Sequence, residues 1–225
     1  METTNESQLK KHISVSSSYN KGWDIMWATF IELVVVVLVY GVIQIPTGVG
    51  WQMDHHRFEP AAALIGILGM AYGALLSGPI GYSVKWVFLK AVRREKIEIK
   101  DMLSVFERNY WNAVLAGLIT VVIVVIGIIM LIVPGIIFAC RLAFVPYLVI
   151  DKKMEAMEAL KTSWEMTRGH GWKIFFIGLL GFLIIIAGLI VLFFGVIISI
   201  MWISTAMAVL YHDVSSEYTK MPATV

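Results

Sequence analysis

Hydrophobic residues in this chain fall in runs too long for the core of a soluble domain. Ile25–Ile45 is interrupted by one charge, Glu32, and Ala61–Leu89 by one, Lys85. Ala113–Val133 and Ile174–Phe194 contain none, and the shorter runs Ile136–Ile150 and Ile197–Tyr211 follow them after brief breaks. About 20 apolar residues carry a helix across the ~30 Å hydrocarbon layer. The runs therefore predict an all-α polytopic membrane bundle of six transmembrane helices, at about 25–45, 61–89, 113–133, 136–150, 174–194 and 197–211. Residues 1–22 are left as a cytoplasmic N-terminal segment, 23–213 as the transmembrane domain and 214–225 as a cytoplasmic tail.

A different pattern fills two of the linkers. Ile97, Ile99, Met102, Leu103, Phe106 and Tyr110 alternate with charges at near-helical spacing, and Met154, Met157, Leu160 and Trp164 do the same. Such segments lie along the membrane surface with lysines towards anionic headgroups. Packing beneath the bundle is the plainer use of their apolar faces, and a groove for a partner is the alternative.

The crossings also repeat. Trp111 and Trp172 are 61 residues apart, as are Gly127 and Gly188, and Pro134 and Gly195. A fainter copy places Trp23 and Pro46 each 88 residues before Trp111 and Pro134. Each unit reads as an interfacial segment, a tryptophan at headgroup level, a crossing, a proline or glycine breaker and a crossing back. The expected arrangement is three repeated hairpins, all pointing the same way.

Composition agrees, at 59% hydrophobic and 15% charged, and the placement of charge adds orientation. Lys10, Lys11 and Lys21 precede the first crossing; Lys90, Arg93, Arg94, Lys96, Lys100 and Arg108 follow the second. Lys152, Lys153, Lys161, Arg168 and Lys173 follow the fourth, Lys220 lies in the tail, and the alternate loops hold only Arg57. Positive residues concentrate in cytoplasmic loops, so both termini are expected inside, in the cytoplasmic (inner) membrane. The first 22 residues are polar, so the first crossing is expected to remain as an uncleaved anchor. The lone Cys140 cannot form an intrachain disulfide, and a net charge of +2 suggests no nucleic-acid role.

Enzyme signatures are sparse: there is no zinc-protease helix, nucleophile elbow or phosphate-binding loop. Asp54, His55, His56 and Glu59 could be imagined around a metal, but adjacent histidines diverge and an ordinary polar loop explains them. Ser77 lacks a nearby histidine and sits in a series of small residues, Gly66, Gly69, Gly73, Gly78 and Gly81, that suits close helix packing. Pro79 is expected to kink that helix. No cofactor is expected.

Charges within the crossings are functional candidates by default. Glu32 and Arg141 are the obvious couple. Arg141 lies seven residues past Pro134, about 10 Å below that turn, and Glu32 fourteen before Pro46, about 20 Å below its own. Side chains tilt towards the helix N-terminus, which draws the arginine outward and the glutamate inward. The two could pair, snorkel separately or line a polar cavity. Lys85 should reach the inner interface by snorkelling. Arg168, His170 and Lys173, around the bend before the fifth crossing, are further candidate headgroup contacts.

The segments "GPIGY", "VPGIIFACRLAFVPYLVID" and "EALKTSWEMTRGHGWKIF" resemble a widespread family of uncharacterised prokaryotic membrane proteins. That family is similar to the membrane domain attached to some glycerophosphodiester phosphodiesterases, and the resemblance runs from about Ser18 to Asp213. It implies a six-helix membrane fold without an established activity, and no soluble phosphodiesterase domain is seen. The leading expectation is a non-enzymatic membrane protein, lipid-interacting or scaffold-like in the cell envelope. A transporter or channel subunit built around Arg141 and Glu32 is the alternative, followed by a membrane-embedded lipid-processing enzyme. Membrane lipids are the expected partners, with another membrane protein or a second copy of the chain as alternatives.

Overall fold

In the computed structural model, residues 13–49, 60–190 and 193–220 are described, and they are helical with short connections. We number the α-helices in chain order: α1 Val15–Ala28, α2 Phe30–Val49, α3 Pro60–Tyr72, α4 Gly78–Val92, α5 Ser104–Arg108, α6 Tyr110–Met130, α7 Ile132–Arg141, α8 Val145–Asp151, α9 Ala156–Met166, α10 Gly171–Ile190 and α11 Phe193–Lys220. A π-helical turn, Gly73–Ser77, joins α3 to α4, and a 3₁₀ turn, Ile99–Leu103, precedes α5. Among the described residues there are six stretches long and apolar enough to cross a membrane: Phe30–Thr47, Leu64–Val92, Tyr110–Met130, Ile132–Asp151, Gly171–Ile190 and Gly195–Thr219. The chain is a multi-pass helical membrane protein.

The boundaries differ from those expected, for local reasons. The first crossing begins at Phe30 rather than Ile25, because α1 ends at Ala28 and Thr29 after it leaves helical geometry (φ −122°, ψ 34°). Trp23 and Ile25 therefore belong to α1. Prolines break less than anticipated. Pro46 sits inside α2, and Pro134 falls in the first turns of α7, where a missing N–H costs little. The third crossing instead stops at Leu131, which is extended (φ −167°, ψ 145°). Pro79 does mark a distortion. Proline leaves the carbonyl four residues earlier without its helical partner, and the freed Leu75 carbonyl accepts from the Tyr110 hydroxyl at 2.8 Å. The fourth crossing is two helices, α7 and α8, hinged at residues 142–144 just before Pro146. The last helix runs on to Lys220, through most of the expected tail.

The basic linkers gather at one end of the bundle, the basic end. Lys21 meets Asp213, Asn109 binds the carbonyls of Val149 and Met154, and Tyr218 donates to Glu165. Here each limb that returns to the basic end packs on a surface segment, the one that follows it for the first two limbs and α1 for the last. Helix α4 packs on the 3₁₀ turn and α5, α8 on α9, and α11 on α1, so the contacts run in a cycle. Polar bonds reinforce each one. Ser83 Oγ accepts the Val105 N–H at 2.9 Å, the Arg141 carbonyl accepts the Ser163 hydroxyl at 2.8 Å, and Trp202 Nε1 donates to the Tyr19 carbonyl at 2.9 Å. The amphipathic α9 buries Ala156, Ala159, Leu160, Ser163 and Met166, so its apolar face is used in self-packing.

Towards the far end the helices pack mainly as pairs, α6 with α7 and α10 with α11. Close approach depends on glycine. A Cβ on Gly127 would stand 2.9 Å from Gly135 Cα, and one on Gly188 would stand 2.6 Å from the Gly195 carbonyl oxygen. Leu64, Ile67, Leu68, Met70, Ile129 to Val133, Leu189 and Ile190 are exposed there, which suits contact with lipid chains. Gly188→Ala should cost about 1–3 kcal/mol through overpacking, whereas Gly178→Ala, with nothing within 4 Å of its Cβ position, should be neutral or favourable by up to about 1 kcal/mol. Thermal unfolding of the two variants in detergent checks the contrast.

Candidate functional site

The bundle is joined at the basic end by a knot of polar side chains, one from each returning limb. Arg93 follows α4, Asp151 ends α8, and Tyr211 lies in α11. The guanidinium grips the carboxylate with both terminal nitrogens, Nη1–Oδ1 at 2.6 Å and Nη2–Oδ2 at 2.8 Å, and the Tyr211 hydroxyl donates to Oδ2 at 3.0 Å. The Asp151 side chain is 5% exposed. A buried carboxylate needs its partners, and a bidentate arginine supplies the strongest neutral-pH arrangement available. Burial works against the Arg93 charge, but hydrogen bonding to and attraction by Asp151 outweigh it and hold the guanidinium above its ordinary value. On its other side Arg93 faces the ring of Trp86, which Arg108 also covers, at 5.6 and 4.5 Å from ring centroid to guanidinium carbon. Above the knot the rings of Tyr147 and Tyr211 stack at 4.7 Å.

The charges singled out from the sequence are not brought together. Glu32 lies exposed in the first turn of α2 and makes no ion pair or hydrogen bond with Arg141. Arg141 ends α7 and packs on α9 instead. Its carbonyl takes the Ser163 and Thr167 hydroxyls, and its guanidinium carbon lies 5.5 Å from the Trp164 ring centroid. Arg141 Nη1 is enclosed by protein with no hydrogen-bond partner among the described residues. Lys85 lies in α4. It is half-buried, with its ammonium 6.0 Å from the Tyr147 ring centroid. Arg168 is exposed, Lys173 is half-buried, and His170 approaches Glu217 at 3.6 Å. Asp54, His55, His56 and Glu59 lie outside the described residues; among those described, no cluster of histidine, cysteine or carboxylate side chains could hold a metal.

A second polar group, missed in the sequence, lies within the membrane. Gln44 Nε2 donates to the Tyr40 hydroxyl at 2.7 Å, and the Ser77 hydroxyl donates to Gln44 Oε1. Ser77 closes the π turn, the type of distortion that often marks functional positions in helices. The i, i+4 spacing of Tyr40 and Gln44 was visible beforehand; their partner 33 residues away was not.

Breaking a buried ion pair from one side strands the other charge, at a cost of about 3–5 kcal/mol. Arg93→Met, which strands the nearly inaccessible Asp151 carboxylate, should destabilise by roughly that amount. Arg141→Met leaves no acid stranded and should stay within about 1 kcal/mol of the parent protein. Denaturant or thermal unfolding in detergent measures both.

Residues 114–215 match the family described as the membrane domain of glycerophosphoryl diester phosphodiesterase. No curated protein and no solved structure matches. The match spans α6 from its second turn to most of α11, a little under half of the 225 residues, and is narrower than the Ser18–Asp213 resemblance read from the sequence. It includes the hinge at 142–144, Asp151 and Tyr211, but not Arg93. Over residues 114–215, then, this chain is similar to the membrane domain of the glycerophosphoryl diester phosphodiesterases.

Proposed function

We propose that the chain is a non-enzymatic protein of the cytoplasmic membrane, both termini inside, that interacts with anionic lipids and acts as a scaffold in the envelope. One observation supports this above others: the surface segments at the basic end turn one face to the core and leave a mixed apolar and basic face exposed. Ile99, Leu103 and Phe106 are exposed beside Lys96, Lys100 and Arg108, and Met157 beside Lys152, Lys153 and Arg168. Trp27, Trp111 and Trp172 stand exposed where α2, α6 and α10 begin, at 48%, 70% and 74%. Aromatic rings at the level of the headgroups, with lysine and arginine alongside, form the pattern of a surface that binds anionic lipid.

The matched family is named for an enzyme acting on a phosphate diester of glycerol, which accords with a lipid-facing role for its membrane domain. A transport site shared by Glu32 and Arg141 has less support, because Glu32 is exposed on one element and Arg141 is packed on another.

Fusions to a reporter that works only inside the cell should be active at either terminus, and an export-dependent phosphatase should be active within residues 50–59 and inactive at either terminus. The reverse pattern would invert the proposed topology. Polymer-bounded discs cut from the membrane should be enriched in anionic lipid relative to the bulk. Replacing Lys152, Lys153 and Arg168 together by glutamine should reduce that enrichment; an unchanged lipid composition would count against the reading.

A further inference from the structure

Lys85 is a cation in a membrane-spanning stretch without an anion. Among the described residues it has no carboxylate within ion-pair distance and no hydrogen-bond partner. The nearest limb-joining acid, Asp151, is already held by both arms of Arg93 and by Tyr211. Unlike Arg141 Nη1, the Lys85 nitrogen is not sealed in by protein, so it remains open to a small partner. An ammonium without an anion at membrane depth is costly, and among the described residues only the face of the Tyr147 ring, 6.0 Å away at its centroid, offsets it.

The surroundings of Lys85 are polar in a specific order. Ser77, Gly81 and Lys85 are spaced i, i+4, i+8 and so share one face of the π turn and α4. Tyr40 and Gln44 on α2 meet that face. The Tyr40 hydroxyl lies against Gly81, where an added Cβ would stand 2.7 Å from it, so only glycine admits the ring there. Lys85 stands one helical turn past Gly81 on that face, and its ammonium lies 6.0 Å from the Tyr147 ring centroid. A seam results: Ser77, Gln44 and Tyr40 are neutral hydroxyl and amide groups, with one free ammonium at its end. At its Lys85 end the seam meets the Tyr147 ring, which stacks on Tyr211. On the other side it adjoins α3, whose Leu64, Ile67, Leu68 and Met70 are exposed apolar side chains.

We propose that this seam binds an oxyanion, the phosphate of an anionic phospholipid, with Lys85 as its counter-charge and the Tyr40–Gln44–Ser77 group beside it. The acyl chains lie along the exposed face of α3. The proposal rests on the lipid-interacting reading above but concerns a site within the bundle, separate from the surface lysines.

The test is thermal unfolding of the full chain in a neutral detergent, titrated with phosphatidylglycerol, phosphatidylcholine or inorganic phosphate. Phosphatidylglycerol should stabilise the wild type saturably, and phosphatidylcholine should not. Lys85→Met should weaken the response about tenfold or more, the worth of a charge-assisted hydrogen bond, while Lys85→Arg and Arg141→Met retain it. Protection by inorganic phosphate, lost in Lys85→Met, would support the oxyanion site and overturn its lipid source. An equal response of wild type and Lys85→Met to phosphatidylglycerol would overturn the site. It would leave the surface reading standing, since that depends on Lys152, Lys153 and Arg168. Should Lys85→Met fail to fold, native mass spectrometry decides: a retained anionic lipid, reduced several-fold in Tyr40→Phe, supports the site, and its absence from the wild type overturns it.

Discussion

A buried carboxylate that must be neutralised where three helical limbs converge constrains the rest of this structure. Asp151 is nearly inaccessible, and its oxygens are taken by Arg93 from one limb and Tyr211 from another. Each bond crosses a large stretch of sequence, so satisfying the charge also sets the relative position of α4, α8 and α11. The basic end follows from it. Trp86 is held between Arg93 and Arg108, Lys90 reaches Asp101 at 2.7 Å, and the 3₁₀ turn and α5 are drawn against α4. Replacing such a pair with apolar groups can be neutral, but removing half of it is not; its value here is that it specifies one arrangement of limbs.

From that knot the molecule divides into two regimes. At the basic end, surface segments interleave with the returning limbs and a continuous core forms, with Phe88, Leu89, Leu148, Ile150, Leu210 and Tyr211 fully buried. Towards the far end the helices are held chiefly in pairs by glycine contacts, and most of their apolar surface faces outward. In a bilayer that surface is no liability, because lipid chains are as apolar as leucine. The polar seam of Tyr40, Gln44, Ser77 and Lys85 lies between these regimes. Its neutral members bond to one another, and Lys85 has no anion among the described residues but faces the Tyr147 ring.

Much of the architecture was legible in the sequence, because a membrane demands long apolar runs and the chain has few other ways to arrange them. The six crossings and the amphipathic surface segments follow from local pattern. Helix ends did not. Proline was read as a stop at Pro46 and Pro134, yet proline is tolerated early in a helix and, in a membrane, wherever the freed carbonyl finds another donor. The Tyr110 hydroxyl on the Leu75 carbonyl is such a donor and cannot be seen from either segment alone.

The site was less legible. Glu32 and Arg141 attracted attention as charges within apolar runs, whereas the pair that matters is made of residues that looked ordinary. Arg93 sat in a basic linker, and Asp151 merely followed the apolar run Ile136–Ile150; only the fold brings them together across 58 residues. The most direct measurement is a double-mutant cycle on Arg93→Met and Asp151→Leu, read by reversible unfolding in detergent. If the knot sets the arrangement of the limbs, the double variant should recover about 2 kcal/mol or more relative to the sum of the single losses, since Arg93→Met strands the buried Asp151 carboxylate and Asp151→Leu leaves the half-buried Arg93 without its acid. A sum that is additive within about 0.5 kcal/mol would contradict the account.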